Sequence, residues 1–258
     1  MLKSEVLVVV PALNESATIA AVVAKILDRG FNLVVVDDGS SDNTAEVARA
    51  AGADVVSLSF NVGVGGALRC GFRYAVEHGY QAIIQCDADG QHHAHHLNDL
   101  VDACNSLNAD MVIGSRFLSS QNTLKPSKVR LVAMWWLAKV ATRAARYPIT
   151  DSTSGFRLIN QPLVGELAKS LPSYYLGDTF ETVVVSGRSG YVVREIGVAM
   201  APRSSGQSTA SNFQSVALIA KALTVVVFHL HFKIRQKSKD INRRASNHLF
   251  GTAITTDK

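Results

Sequence analysis

Gln81-Ala-Ile-Ile-Gln-Cys86-Asp87-Ala-Asp89-Gly-Gln91 is the stretch whose reading decides the fold. Its apolar run reads as a short buried strand. The run breaks off at two carboxylates one residue apart, then a glycine and a carboxamide. In a parallel α/β sheet, ligands gather beyond the carboxyl ends of the strands, and Asp87, Asp89 and Gln91 fall at such an end. Two carboxylates and a neutral amide oxygen on one turn suit Mg²⁺ or Mn²⁺, which take oxygen ligands and share them with substrate phosphates. A ligand-free polar turn has the same composition, so the neighbouring segments decide between the two.

Upstream, residues 5–10 form a β-branched run and predict a first strand. Pro11 is expected to stop it, and Asn14 or Ser16 to cap a helix reaching about Arg29, with Gly30 at its C-cap. Residues 33–36 predict a second strand ending in Asp37-Asp38-Gly39-Ser40. Asn43 with Glu46 resembles a capping box for the next helix. A third strand is expected over 54–58, and Asn61-Val-Gly-Val-Gly65-Gly66 opens a helix to about His78. Beyond the opening stretch, 93–106 reads as a helix and 110–113 as a fifth strand ending at Gly114-Ser-Arg116. This alternation predicts an α/β fold, a mostly parallel, Rossmann-like sheet flanked by helices. Polar loops follow strands one, two, four and five, so one rim collects the chemistry.

After Arg116 the pattern changes. Residues 128–146 predict a long basic and apolar helix with Trp135 and Trp136 at its centre. A helix near 161–170, another opened by Gly177-Asp-Thr-Phe-Glu181, and a strand over 191–198 follow. The expected organisation is one catalytic domain over 1–212, an apolar helix over 213–232 and a basic, mobile tail over 233–258.

With 258 residues, 47% hydrophobic and 18% charged, the chain suits one sizeable globular α/β domain. The net charge is +5, and residues 233–244 carry six basic side chains against Asp240. The main domain is therefore near neutral, which speaks against a nucleic-acid face on it. Cys70, Cys86 and Cys104 are odd in number and form no C-x-x-C, as expected of a reducing compartment. No signal peptide is expected, because only Val6–Val10 follow Lys3 and Glu5 as an apolar run.

Gly63-x-Gly65 lacks the third glycine of a dinucleotide fingerprint, since Leu68 stands there, and no P-loop occurs. Gly65 and Gly66 either let a base or phosphate approach the backbone or make a tight strand-to-helix turn. Glu15 and Asp38 lie at adjacent strand ends, where carboxylates can accept hydrogen bonds from ribose hydroxyls or a base N–H. Neither can face a diphosphate without a cation between them, and Asp87 with Asp89 would hold that cation.

Taken in order, Pro11-Ala-Leu-Asn-Glu15, Asp37-Asp-Gly-Ser40, Asp87-Ala-Asp-Gly-Gln-His92, Gly114-Ser-Arg116 and Asp151-x-x-Ser-Gly-Phe-Arg157 resemble the family-2 glycosyltransferases of GT-A fold. They look most like the polyprenyl-phosphate, dolichyl-phosphate mannose synthase-like branch, over about residues 4–210. The resemblance implies an inverting, metal-dependent transfer from a nucleotide-diphosphate sugar. By it, Pro11, Leu13, Glu15 and Asp38 line the nucleoside pocket, beside which Gly65 is the glycine-loop candidate for donor binding, and Asp87, Asp89 and Gln91 hold Mg²⁺ or Mn²⁺ with the diphosphate. Arg116, Arg130 and Arg203 match arginines that face donor or acceptor phosphate. Val64 replaces an expected lysine and Ala94 a frequent proline. His92, His93, His95 and His96 read as a solvated helix start and not as a zinc site, because the family uses oxygen ligands.

The acceptor stays open between two classes. A hydroxyl needs a general base, for which Glu181 and Asp178 are candidates. A phosphate monoester is already anionic and needs cations, which the three arginines supply. The second class, a polyprenyl phosphate, fits the chain better; a non-catalytic nucleotide-sugar binding protein is the remaining alternative. Its lipid would require a membrane surface. Helix 128–146 and stretch 216–232 are expected to lie in the plane of that surface on the cytoplasmic side, because 216–232 falls short of the ~20 apolar residues of a span. The alternative for 213–232 is a homo-oligomer contact.

Overall fold

The computed structural model describes residues 1–118, 128–171 and 177–200, without the side chains of 128–130, 133, 177 and 178. Arg203, the apolar stretch 213–232 and the basic tail 233–258 lie outside the described residues. Strands and helices alternate as β1 (Val6–Ala12), α1 (Ile19–Leu27), β2 (Asn32–Asp37), α2 (Thr44–Ala50), β3 (Asp54–Ser57), α3 (Val64–Glu77), β4 (Ala82–Gln85), α4 (His96–Leu107) and β5 (Met111–Ser115). Then come α5 (Lys128–Ala145), β6 (Arg157–Asn160), α6 (Leu163–Ser170), a π-helical turn over Gly177–Glu181, α7 (Thr182–Arg188) and β7 (Val193–Gly197).

The strands form one seven-stranded sheet in the order β3-β2-β1-β4-β6-β5-β7. β6 alone runs against its neighbours β4 and β5, and every other pairing is parallel. The expected mostly parallel sheet is present, with β6 added. β6 escaped the sequence reading because only Leu158 and Ile159 separate Arg157 from Asn160, too short a run for a period.

β1 is buried on both faces, as a near-continuous apolar run in a parallel sheet should be. Leu7 and Val9 join a core with α3, α5, α6 and α7, while Val6, Val8 and Val10 join the opposite core with α1 and α4.

Pro11 does not stop β1, contrary to expectation: it pairs with Val36, and Ala12 with Asp37. The Val9 carbonyl takes the Cys86 N–H and the Ala12 carbonyl takes the Asp38 N–H. By alternation, Pro11 turns its missing N–H toward β4, where pairing has already ended at Val9–Gln85. That side is locally an edge, where proline is tolerated. α1 likewise starts at Ile19 and not at the expected caps, because Asn14 is in the left-handed region at φ 55° and is used elsewhere. Asn43 makes no side-chain cap on α2. Asp42 does that work, its Oδ1 accepting the Thr44 N–H at 3.0 Å.

α5 packs on α7 at Gly187, where an added Cβ would lie 2.7 Å from the carbonyl carbon and oxygen of Ala144. Those are backbone atoms on the buried face of α5 and cannot step aside cheaply. Gly187→Ala is expected to cost roughly 1–3 kcal/mol of stability, measured by urea unfolding. Leu137, Ala141 and Ala144 bury one face of α5, while Leu131, Val132, Trp135 and Trp136 remain exposed.

Candidate active site

β1, β2 and β4 are parallel neighbours, so the loops after them share the carboxyl rim, and the segment leading into antiparallel β6 returns to it. The β1 and β2 loops interlock. Asn14 donates its N–H to Ser40 Oγ at 2.9 Å, and its Oδ1 accepts the Ser41 N–H at 2.9 Å. Glu15 donates its N–H to Thr44 Oγ1 at 2.9 Å, and Ser16 to Asp42 Oδ2 at 3.3 Å. The Thr44 hydroxyl on the Asp42 carboxylate holds its pKa down to about 2. Asp38 is buried, and its Oδ1 accepts the Val62 N–H at 2.8 Å. Gly39, at φ +73°, sits where a Cβ would come within 2.9 Å of the Phe60 and Asn61 backbone. Only glycine lets the loop after β3 close onto the Asp38 turn. Gly65 is buried in the first turn of α3.

The turn after β4 is built around Asp89. Gln91 donates its N–H to Asp89 Oδ1 at 3.0 Å and its side-chain amide to Oδ2 at 2.8 Å. Gly90 makes the turn at φ 75°. Asp87 keeps 45% of its side chain exposed. A Cβ on Gly155 would lie 3.2 and 3.4 Å from its two carboxylate oxygens, so glycine leaves room around the carboxylate. Hard oxygens with space beside them fit a divalent cation. Among the described residues no three His, Cys, Asp or Glu side chains gather to hold a metal.

His92 and His96 are not a solvated helix start. The His92 side chain is 3% exposed and stacks on Phe156 with ring centroids 4.6 Å apart. Its Nδ1 accepts the Asp87 N–H at 3.1 Å, and burial lowers its pKa. His96 Nε2 accepts the Ala199 N–H at 2.9 Å, and its Nδ1 meets Asp99 Oδ2 at 2.6 Å. The polar run Gln91-His-His-Ala-His-His concealed both, since composition alone does not show which ring turns inward.

At the end of β5, Arg116 donates through Nε to Asp151 Oδ2 at 2.7 Å and through Nη2 to Oδ1 at 2.8 Å. The Asp151 side chain is fully buried and that of Arg116 is 20% exposed. Glu195 accepts the Thr150 and Asp151 N–H groups, both at 2.7 Å, and burial pushes its carboxyl pKa up. Beside Arg116 opens an apolar groove of about 650 Å³, lined by Phe117, Leu131, Trp135 and Ile149 among others.

The sequence model described as "Glycosyl transferase family 2" matches residues 7–167. The chain belongs to glycosyltransferase family 2. An uncharacterised protein of Methanocaldococcus jannaschii is 32% identical over 195 residues, 75% of this chain and 80% of that protein. The undecaprenyl-phosphate mannosyltransferase of Micrococcus luteus is 27% identical over 214 residues, 80% of this chain and 87% of its own. Glucosyl-3-phosphoglycerate synthase from Mycobacterium tuberculosis, solved with Mn²⁺, UDP-glucose and glycerol 3-phosphate, superposes with a TM-score of 0.62 at 23% identity. That superposition covers 86% of this chain and 78% of that one.

In this glycosyltransferase, Pro11, Leu13, Glu15, Asp38, Gly65, Asp87, Asp89, Gln91 and Arg116 all fall in or beside the loops of the carboxyl rim. Glu181 is 1% exposed at the head of α7. The side chains of Arg130 and Asp178 lie outside the described residues, as does Arg203. Sequence reasoning missed three working side chains: His92, Asp151 and Arg157. Arg157 is fully buried, donating Nε to Gln85 Oε1 and Nη1 to the Thr179 carbonyl, each at 3.1 Å. It thereby ties the end of β4 to the Gly177–Glu181 turn. The motif Asp151-x-x-Ser-Gly-Phe-Arg157 contained two of the three, but its polar residues carried no sign of which were buried.

Proposed function

We propose that this glycosyltransferase moves a sugar from a nucleotide-diphosphate sugar onto a polyprenyl phosphate at the cytoplasmic face of a membrane. The observation that carries the proposal is the apolar groove beginning at Phe117, the residue next to the rim arginine Arg116. An acceptor with an anionic head and an isoprenoid tail needs such an adjacency. The lipid-phosphate acceptor named for the Micrococcus luteus relative supports it.

In this reading Pro11, Leu13, Glu15, Asp38 and Gly65 hold the nucleoside, and Asp87, Asp89 and Gln91 face the diphosphate. A divalent cation bound there, Mg²⁺ or Mn²⁺, supplies charge that stabilises the departing diphosphate. The mycobacterial neighbour was solved with Mn²⁺. Arg116, Arg130 and Arg203 hold the acceptor phosphate, whose oxygen attacks the anomeric carbon as the bond to the diphosphate breaks. A phosphate nucleophile requires no base, and the burial of Glu181 supports a role for it other than proton abstraction.

Trp135 and Trp136 are 51% and 52% exposed, and Lys139 Nζ lies 3.8 Å from the Trp135 ring centroid. An exposed aromatic and apolar face with a lysine beside it suits a membrane interface. Among the described residues no helix is long and apolar enough to cross a membrane. The two acceptor classes separate by substitution. Glu181→Gln is expected to keep transfer within about tenfold, whereas Arg130→Ala raises the KM for a short polyprenyl phosphate by about tenfold or more. The opposite ranking would favour a hydroxyl acceptor with Glu181 as base.

A further inference from the structure

Asp87 is held from a side that the proposed reaction does not use. His92 follows the Asp87–Gln91 turn directly, and its side chain is 3% exposed although the run around it is polar. Its ring lies against Phe156 at an interplanar angle of 23°. Nδ1 takes the Asp87 N–H at 3.1 Å, and Nε2 lies 3.8 Å from Asp87 Oδ2. A main-chain N–H can only donate, so Nδ1 carries no proton and the ring proton sits on Nε2, on the side of the Asp87 carboxylate. Across that carboxylate, Gly155 leaves the space a Cβ would fill.

We propose that His92 is a positioning residue that presents the Asp87 carboxylate to its cation, chiefly by accepting the Asp87 N–H. This rests on the reading of Asp87 as a cation ligand. The bond fixes the main chain from which the carboxylate springs, and the stack on Phe156 fixes the ring. Partners of this kind behind a metal ligand are typically worth 10–100-fold in metal affinity. A histidine that merely fills the core would give a different pattern, because phenylalanine fills the same space and keeps the stack.

The test measures Mn²⁺ binding alone, by the electron paramagnetic resonance of free Mn²⁺, for wild type, His92→Phe and His92→Asn. His92→Phe lacks the acceptor and is expected to bind Mn²⁺ 10–100-fold more weakly with an unchanged circular dichroism spectrum. His92→Asn places an amide oxygen near the Nδ1 position and is expected to recover most of that loss. Equal Mn²⁺ affinity in wild type and His92→Phe, or no recovery in His92→Asn, overturns the inference and leaves the reading of Asp87 intact. Failure of the wild type to bind Mn²⁺ both alone and with a nucleoside diphosphate present overturns both. A second measurement needs no variant: the imidazole ¹⁵N spectrum of the wild-type protein should place the His92 proton on Nε2, and a proton on Nδ1 overturns the inference.

Discussion

Asp89→Ala is expected to reduce sugar transfer about 10³-fold, equivalent to about 4 kcal/mol of lost transition-state stabilisation. The size follows from how this carboxylate is held. Both of its oxygens accept hydrogen bonds from Gln91, one from the main chain and one from the side-chain amide. A carboxylate oriented before substrate arrives has no reorganisation left to undergo during the reaction. Asp89→Asn retains the shape and an acceptor for the Gln91 N–H but removes the charge. It should be nearly as inactive, which assigns the loss to charge. Neither change creates a cavity in the core, since Asp89 lies in a turn at the rim. The thermal midpoint should therefore stay within a few degrees of wild type, and steady-state kinetics alongside circular dichroism measure both effects.

Asp151→Ala carries the second large effect, and it falls on stability and activity together. Asp151 is fully buried, grips Arg116 through two side-chain hydrogen bonds and accepts its main-chain N–H at 3.1 Å. Removing one member of a buried pair leaves the other charge uncompensated, at a typical cost of about 3–5 kcal/mol. The 20% exposure of Arg116 gives it some water to turn to, so a loss of roughly 3 kcal/mol is expected. The freed guanidinium no longer has a fixed direction, so the acceptor KM should rise as well. A double-mutant cycle pairing Asp151→Asn with Arg116→Gln separates the two consequences. Strong coupling in unfolding free energy is expected, and additive losses would mean that the two side chains act independently.

The alternation of strands and helices was legible because each apolar run of β1, β2, β4 and β5 ends in polar residues at the same rim. Asp87, Asp89 and Gln91 were placed at that rim for the same reason, since they directly follow β4. Pro11 misled because its cost depends on which side of β1 its ring faces, and that follows from where β4 stops. β6 stayed hidden because four residues show no period. His92, Asp151 and Arg157 were missed for a shared reason. Their chemistry comes from burial beside a partner distant in sequence: His92 on Phe156, Asp151 on Arg116, Arg157 on Gln85. Glu195 offered a fainter signal, since period-two alternation through β7 puts it on the same buried side as Val193.

Transfer of labelled sugar into the organic phase tests the central claim most directly. The full chain is incubated with Mn²⁺, each of a panel of nucleotide-diphosphate sugars, and either a short polyprenyl phosphate or the matching polyprenol. The account predicts label in the lipid for at least one donor, only with the phosphorylated acceptor, and loss of that label in Asp89→Ala. Transfer to the polyprenol instead, or lipid label undiminished in Asp89→Ala, would contradict it.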